Sequence, residues 1–266
     1  MSTVFDVYNL PCADCSNEPI GRIPLARILD RLDCDYARND LSSAKKHLDY
    51  WIRECQTLND RRSELSLWNE MIGLCRRLND FELAIQALER AADLIEALHL
   101  AGSVSGATIF LNMATTYKHF GKSDIALKLY DRVEAVYAEL LSEESYEYAA
   151  LYNNKATALM GVGRYEEAMR LLLRALDILE LCPSERIDCA ISYGNLAQLT
   201  YESKTDFAKA DKYLDLAWET VCEPDLLHDG RYAFVCAKLS EVFALLGKEE
   251  AALALAEVAR EIYEGT

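Results

Sequence analysis

Between Ala149 and Leu179 apolar and polar positions alternate at helical spacing in two successive stripes. Leu151, Ala156 and Leu159 mark the first; Ala168, Leu171, Leu172, Ala175, Leu176 and Leu179 mark the second. Gly161, Val162 and Gly163 separate them. Glycine tolerates the positive φ that stops a helix, and Glu166 and Glu167 compensate the positive N-terminal dipole of the helix that follows. The pattern predicts two amphipathic helices joined by a tight turn.

The same pattern recurs along the chain. With Ala168 as the small residue that lets one helix lie close on the other, counterparts fall at Ala44, Ala84, Ala126, Ala210 and Ala252, mostly about 42 residues apart. Five residues before each anchor lies a predicted break, at Asn39, Asn79, Gly121, Gly163, Thr205 and Gly247. Four residues after it stands Leu48, Leu88, Tyr130, Leu172, Leu214 or Ala256. Seven after it stands a small residue in four copies, Ala91, Ala175, Ala217 and Ala259, with Trp51 and Val133 departing. Trp51 predicts looser packing in the first copy. Repeats are expected near residues 24–58, 61–98, 106–141, 144–181, 184–222 and 230–263, with Pro24 in the first turn and Asp40 as an N-cap. Residues 1–22 read as irregular, because Pro11, Pro19 and Gly21 leave no room for a long helix. Val4, Phe5, Val7, Tyr8 and Leu10 suit either a cap on the first repeat or a segment folded into the protein's own groove.

These helix pairs resemble the tetratricopeptide repeat. The family's large aromatic in the first helix maps to Trp68, Phe110 and Tyr152, and its tyrosine to Tyr117, Tyr201 and Phe243, with Tyr201 one residue out of register. The resemblance runs from about Ile23 to Glu264 and is similar to the kinesin-light-chain-like class. It implies an all-α fold: an α-solenoid of about six antiparallel helix pairs in a right-handed superhelix, residues 23–266 forming one repeat domain. It also implies a protein or peptide partner.

Composition narrows the function. The chain has 266 residues, 51% of them hydrophobic, enough for a core that runs along a solenoid. A formal charge of −16, with no basic stripe, argues against nucleic acid. No apolar run approaches a membrane span, and MSTVFDVYNL lacks a basic region followed by a hydrophobic one, so a soluble cytoplasmic protein is expected. Nine cysteines without framework spacing suit a reducing compartment. Cys12 and Cys15 form a lone C-x-x-C that lacks the second pair of a zinc site, so incidental thiols are favoured over a metal or redox role. No G-x-S-x-G, P-loop or H-E-x-x-H occurs. The four histidines are scattered, and paired acids such as Glu166–Glu167 stand at helix starts. Neither catalysis nor a cofactor is expected.

Binding has candidate residues. In tetratricopeptide arrays the first helix of each pair lines the concave wall, and one register there reads Asp30, Glu70, Asn112, Asn154, Asn195 and Lys238. A carboxamide offers both a donor and an acceptor to a peptide backbone. Asn112, Asn154 and Asn195 resemble the asparagine ladder of the O-linked N-acetylglucosamine transferase repeats and the cargo groove of kinesin light chain, which implies that they hold extended peptide. Ordinary polar residues, or asparagines bonded to a neighbouring helix, are the alternative. Asn153, Arg76, Arg77, Lys118 and Tyr201 project onto the same wall, beside Asn69, Thr115, His119, Gln198, Glu202 and Glu241. Arg76, Arg77 and Lys118 make a basic end suited to a carboxylate.

Two functions follow: a scaffold that grips peptide in its groove, or an assembly protein that uses its ends. A cytoplasmic sensor of signalling peptides is a variant of the first. The last repeat bears Ala251, Leu253, Leu255, Val258, Ala259 and Ile262 with no capping helix after it, which predicts self-association through the C-terminal helix or a longer parent chain.

Overall fold

The computed structural model describes residues 19–204 and 206–264. The N-terminal segment up to Glu18, with Cys12 and Cys15, and the expected break at Thr205 lie outside the described residues. Twelve α-helices follow one another, with no strand among the described residues. They are α1 (Leu25–Ala37), α2 (Leu41–Leu58), α3 (Arg61–Leu78), α4 (Phe81–Ala97), α5 (Val104–His119), α6 (Ser123–Leu140), α7 (Tyr146–Met160), α8 (Tyr165–Glu180), α9 (Ile187–Glu202), α10 (Phe207–Val221), α11 (Gly230–Leu245) and α12 (Glu249–Glu264). A short 3₁₀ turn, Pro183–Glu185, precedes α9. The chain divides into two compact units, one ending at Leu140 with α1–α6 and one from Leu141 with α7–α12. Each is an all-α solenoid segment of three helix pairs.

The repeat pattern sets the packing inside each unit. Ala44, Ala84 and Ala126 are buried in the first unit, and Ala168, Ala210 and Ala252 in the second. A methyl group at each of these positions lets two backbones approach closely, and Leu48, Leu88, Tyr130, Leu172 and Leu214, one turn on, fill the space between. Ala256 is exposed instead. In the first pair Ile52 takes the buried place, while Trp51 is half-buried against the edges of Tyr50 and His47.

Breaks and caps explain where helices stop. Asn39, Asn79, Gly121, Gly163 and Gly247 all adopt positive φ, so these pairs turn at the residues the spacing picks out. In the fifth pair Lys204 adopts φ 54°. Asp40, Asp80 and Asp206 accept from the amides of Ser43 (2.9 Å), Leu83 (3.0 Å) and Lys209 (3.0 Å). Pro24 sits one residue earlier than its expected first-turn place, at the N-cap of α1. Helix α5 starts at Val104, earlier than the Gly106 expected from the pattern, because the Ser103 hydroxyl accepts from the Gly106 amide at 3.1 Å. A side chain at Gly106 would place its Cβ 2.0 Å from the Leu100 carbonyl oxygen, so that close turn requires glycine.

Polar networks stitch successive pairs together. In the first unit the buried Glu64 carboxylate accepts from Gln56 (3.0 Å), Trp68 (3.2 Å) and Arg90 (3.0 Å), joining α2, α3 and α4. In the second, Arg231 on α11 donates to both oxygens of Asp188 (3.2 and 2.6 Å), to the Tyr146 hydroxyl (2.7 Å) and to Glu185. Tyr146 in turn donates to Asp188 at 2.6 Å. In α12, Ala252, Leu255 and Ala259 are buried, Ala251, Val258 and Ile262 pack partly against the same core, and Leu253 is exposed. The apolar surface left by this helix is therefore smaller than its sequence suggests.

Candidate functional site

The first helices of neighbouring pairs touch within each unit, α3 with α5, α7 with α9 and α9 with α11. Their remaining polar faces carry the candidate site residues, which fall into two groups, one per unit.

In the first unit Asn112 on α5 donates its Nδ2 to the Asn69 Oδ1 on α3 at 2.9 Å. The Arg76 guanidinium lies against the same place, donating to the Thr116 hydroxyl at 2.7 Å and to the Asn112 carbonyl at 3.4 Å. Thr116 also donates to that carbonyl, at 2.9 Å. Arg76 is half-buried and meets only neutral oxygens there, and burial lowers its pKa. Arg77 is exposed, with its guanidinium 4.5 Å from the centre of the Tyr36 ring. Lys118 is half-buried near the end of α5. The structure thus brings Arg76 and Asn112 together and directs Arg77 to α1.

In the second unit Asn195 on α9 donates its Nδ2 to the Asn153 Oδ1 on α7 at 3.0 Å. Asn153 donates to the Ser192 hydroxyl at 2.9 Å and to the Ala149 carbonyl at 3.2 Å. Asn154, in the register with Asn195 by sequence, donates to the Ala150 carbonyl one turn back at 3.0 Å. Tyr201 stands at the end of α9, exposed, with its ring 5.5 Å from Phe207. It lies apart from the asparagine pair.

Both units therefore build a carboxamide pair across adjacent first helices, Asn69–Asn112 and Asn153–Asn195. Bonding to a neighbouring helix is the alternative that the sequence leaves open for these asparagines, and the structure shows that bond. It spends one donor and one acceptor per pair. Within the first pair the Asn69 Nδ2 and the Asn112 Oδ1 are left over, a donor and an acceptor side by side. By sequence Asn69 is a neighbour rather than a leading candidate, yet its 43-residue spacing from Asn112 and the 42 from Asn153 to Asn195 carry the signal. The register read from sequence falls one residue away, at Asn154 and Glu70.

Chemistry beyond binding finds little to use. Burial pushes the thiols of Cys75, Cys189 and Cys236 up to about 11 and that of Cys55 up to about 12, which disfavours a nucleophilic thiolate. No group of three or more histidine, cysteine, aspartate or glutamate residues with metal-binding geometry occurs among the described residues. No helix among them is long and apolar enough to cross a membrane.

Comparison with known proteins places this architecture. The tetratricopeptide-repeat family model matches residues 63–139 and 147–219, more than half of the chain. The chain belongs to the tetratricopeptide-repeat family, whose helix pairs serve generally as protein-interaction scaffolds. Comparison with curated proteins gave no match. Among solved structures, it is similar to the nearly identical tetratricopeptide-like repeats of a putative kinesin light chain from Podosopora anserina, at 20% identity and a TM-score of 0.52 over 74% of this chain and 94% of that one. A glutamine-to-methionine variant of that protein aligns at 20% identity and a TM-score of 0.53, over 74% and 93%. BtubC (BKLC) from P. vanneervenii aligns at 20% identity over 92% of each chain, with a TM-score of 0.44.

Proposed function

We propose that this protein is a non-catalytic scaffold that holds an extended segment of a partner protein against the inner faces of its first helices. The observation that carries the reading is the pair of carboxamide couples, Asn69–Asn112 and Asn153–Asn195, one in each unit. A peptide backbone presents alternating N–H and C=O groups, and a fixed donor and acceptor side by side match it without reading its sequence. Arg76, Arg77, Lys118, Asn154 and Tyr201 then act as neighbours that bias which side chains are accepted. A reducing cytoplasmic setting belongs to the proposal, supported by the free thiols of Cys34, Cys55, Cys75, Cys182, Cys189, Cys222 and Cys236.

Assembly through the ends of the chain is the competing reading, favoured by the exposed Leu253 on α12. Sedimentation of the full chain with the binding segment of a co-purified partner separates the two. Groove binding adds one segment per chain and leaves the chain's own association state unchanged. A change of association state on binding, with no segment retained per chain, contradicts the groove.

A further inference from the structure

Asn69, Gly73 and Arg76 follow one another at helical spacing on one face of α3, where it runs beside Asn112 and Thr116 of α5. Asn69, Gly73, Arg76 and Asn112 are all partly exposed. Through its Nη1 the Arg76 guanidinium donates to the Thr116 hydroxyl and the Asn112 carbonyl, both neutral. Its Nη2 and Nε donate to nothing among the described residues. Glu70 and Arg77 bear on its charge with opposite sign, but no ion pair joins it to a carboxylate there. A half-buried cation held by neutral oxygens alone is a charge left to be balanced.

Gly73 is the second observation. It lies inside α3 without positive φ, and glycine in a helix interior costs stability relative to alanine. A Cβ there would meet the Arg76 Nη2 at 3.8 Å, an ordinary contact, with no closer neighbour among the described residues. Neither backbone nor packing therefore requires glycine at this place. What it provides is space: a gap one side chain wide, with the unused edge of the Arg76 guanidinium beside it and the spare Asn69 Nδ2 one turn back.

Resting on the groove reading above, we propose that the gap over Gly73 is a subsite in the first unit that takes one carboxylate of the bound peptide, held by Arg76 Nη2 and Nε and by Asn69 Nδ2. Two parallel N–H groups on one guanidinium edge match the two oxygens of a carboxylate, and the amide adds a third donor. A single guanidinium balances one negative charge, which suits a carboxylate better than a phosphate dianion. The Asn112 Oδ1 stays available for a backbone N–H. Of the basic end expected from sequence, Arg76 alone serves this subsite, since Arg77 turns to the Tyr36 ring.

The carboxylate can come from an aspartate or glutamate side chain or from the end of the peptide, and two synthetic pools of random dodecapeptides separate these sources. One pool has free C-termini and the other C-terminal amides; each is passed over the immobilised full chain and the retained peptides are sequenced. An excess of aspartate or glutamate in both pools supports the subsite with a side-chain ligand. Retention confined to the free-acid pool supports it with a chain end. A retained peptide should then bind roughly tenfold more weakly to Arg76→Gln, the worth of a charge-assisted hydrogen-bonded pair. Gly73→Glu should weaken it as much, because the new carboxylate occupies the guanidinium from three residues back, while the melting temperature stays at or above that of the wild type. Both variants should bind the peptide no better than its carboxamide analogue. Peptides released by Asn112→Ala/Asn195→Ala that show no carboxylate preference, or that ignore Arg76→Gln and Gly73→Glu, overturn the subsite and leave the groove. Peptides indifferent to the asparagines, or no retention on the wild-type chain, overturn both.

Discussion

Single residues decide where this chain turns and where it stores charge. Gly163 adopts φ 75° with nothing within 4 Å of a notional Cβ, so the demand there is purely conformational. Gly163→Val should cost more than about 1 kcal/mol in urea unfolding, whereas Gly163→Asn should cost much less, as Asn39 and Asn79 show by holding the same conformation. Equal stabilities for the two variants would place the stop elsewhere. Glu70 is the opposite case, a group set by burial rather than by backbone. Its folded pKa of about 7 lies above the ordinary 4.5, so the folded chain binds the extra proton between those values. The associated stability is fully present below about 4.5 and lost as pH rises through about 7. Glu70→Gln should remove that dependence and raise stability at pH 8 by about 1–2 kcal/mol, read from unfolding curves at pH 5 and pH 8. Nothing in the sequence marks Glu70 as half-buried, because burial depends on tertiary packing that local spacing does not encode.

Helices are the scale at which the sequence is most legible. Periodic apolar positions, alanine anchors and a turn five residues before each anchor fix helix identity, and these are local signals. What the pattern misses lies where a side chain reaches beyond its own helix. Ser103 capping Gly106 starts α5 early, and the asparagine bonds run between helices about 42 residues apart in sequence. The Arg231 cluster is of the same kind, linking α7, α9 and α11 through Tyr146, Asp188 and Arg231, with Glu185 from the turn before α9. Its planar fork serves several acceptors at once, which a lysine cannot match. Arg231→Met should lower stability by about 1–3 kcal/mol, since it strands the half-buried Asp188 carboxylate, although partial exposure of the guanidinium moderates the loss. Arg231→Lys should recover only part of it. Chemical denaturation of the three proteins checks the order, and a lysine variant as stable as wild type would show that charge alone matters.

At the scale of the whole molecule, part of the acidic surplus has a structural use. Asp40, Asp60, Asp80, Asp206 and Asp229 all cap helices, so a charge of −16 need not signal an acidic docking face. Each unit instead presents its own carboxamide pair, and the account stands on those pairs gripping a peptide backbone. The most direct test is the affinity of the co-purified partner segment for two variants of the full chain, measured well below their melting temperatures. Asn112→Ala/Asn195→Ala removes the inter-helix bond in both units, at a stability cost of about 0.5–1.5 kcal/mol per site, and should weaken binding at least about tenfold. Leu172→Ala, a core truncation, should lower stability by about 2–5 kcal/mol and leave the affinity of the folded protein unchanged. Full affinity retained by the asparagine variant, or equal losses in both, would contradict the groove.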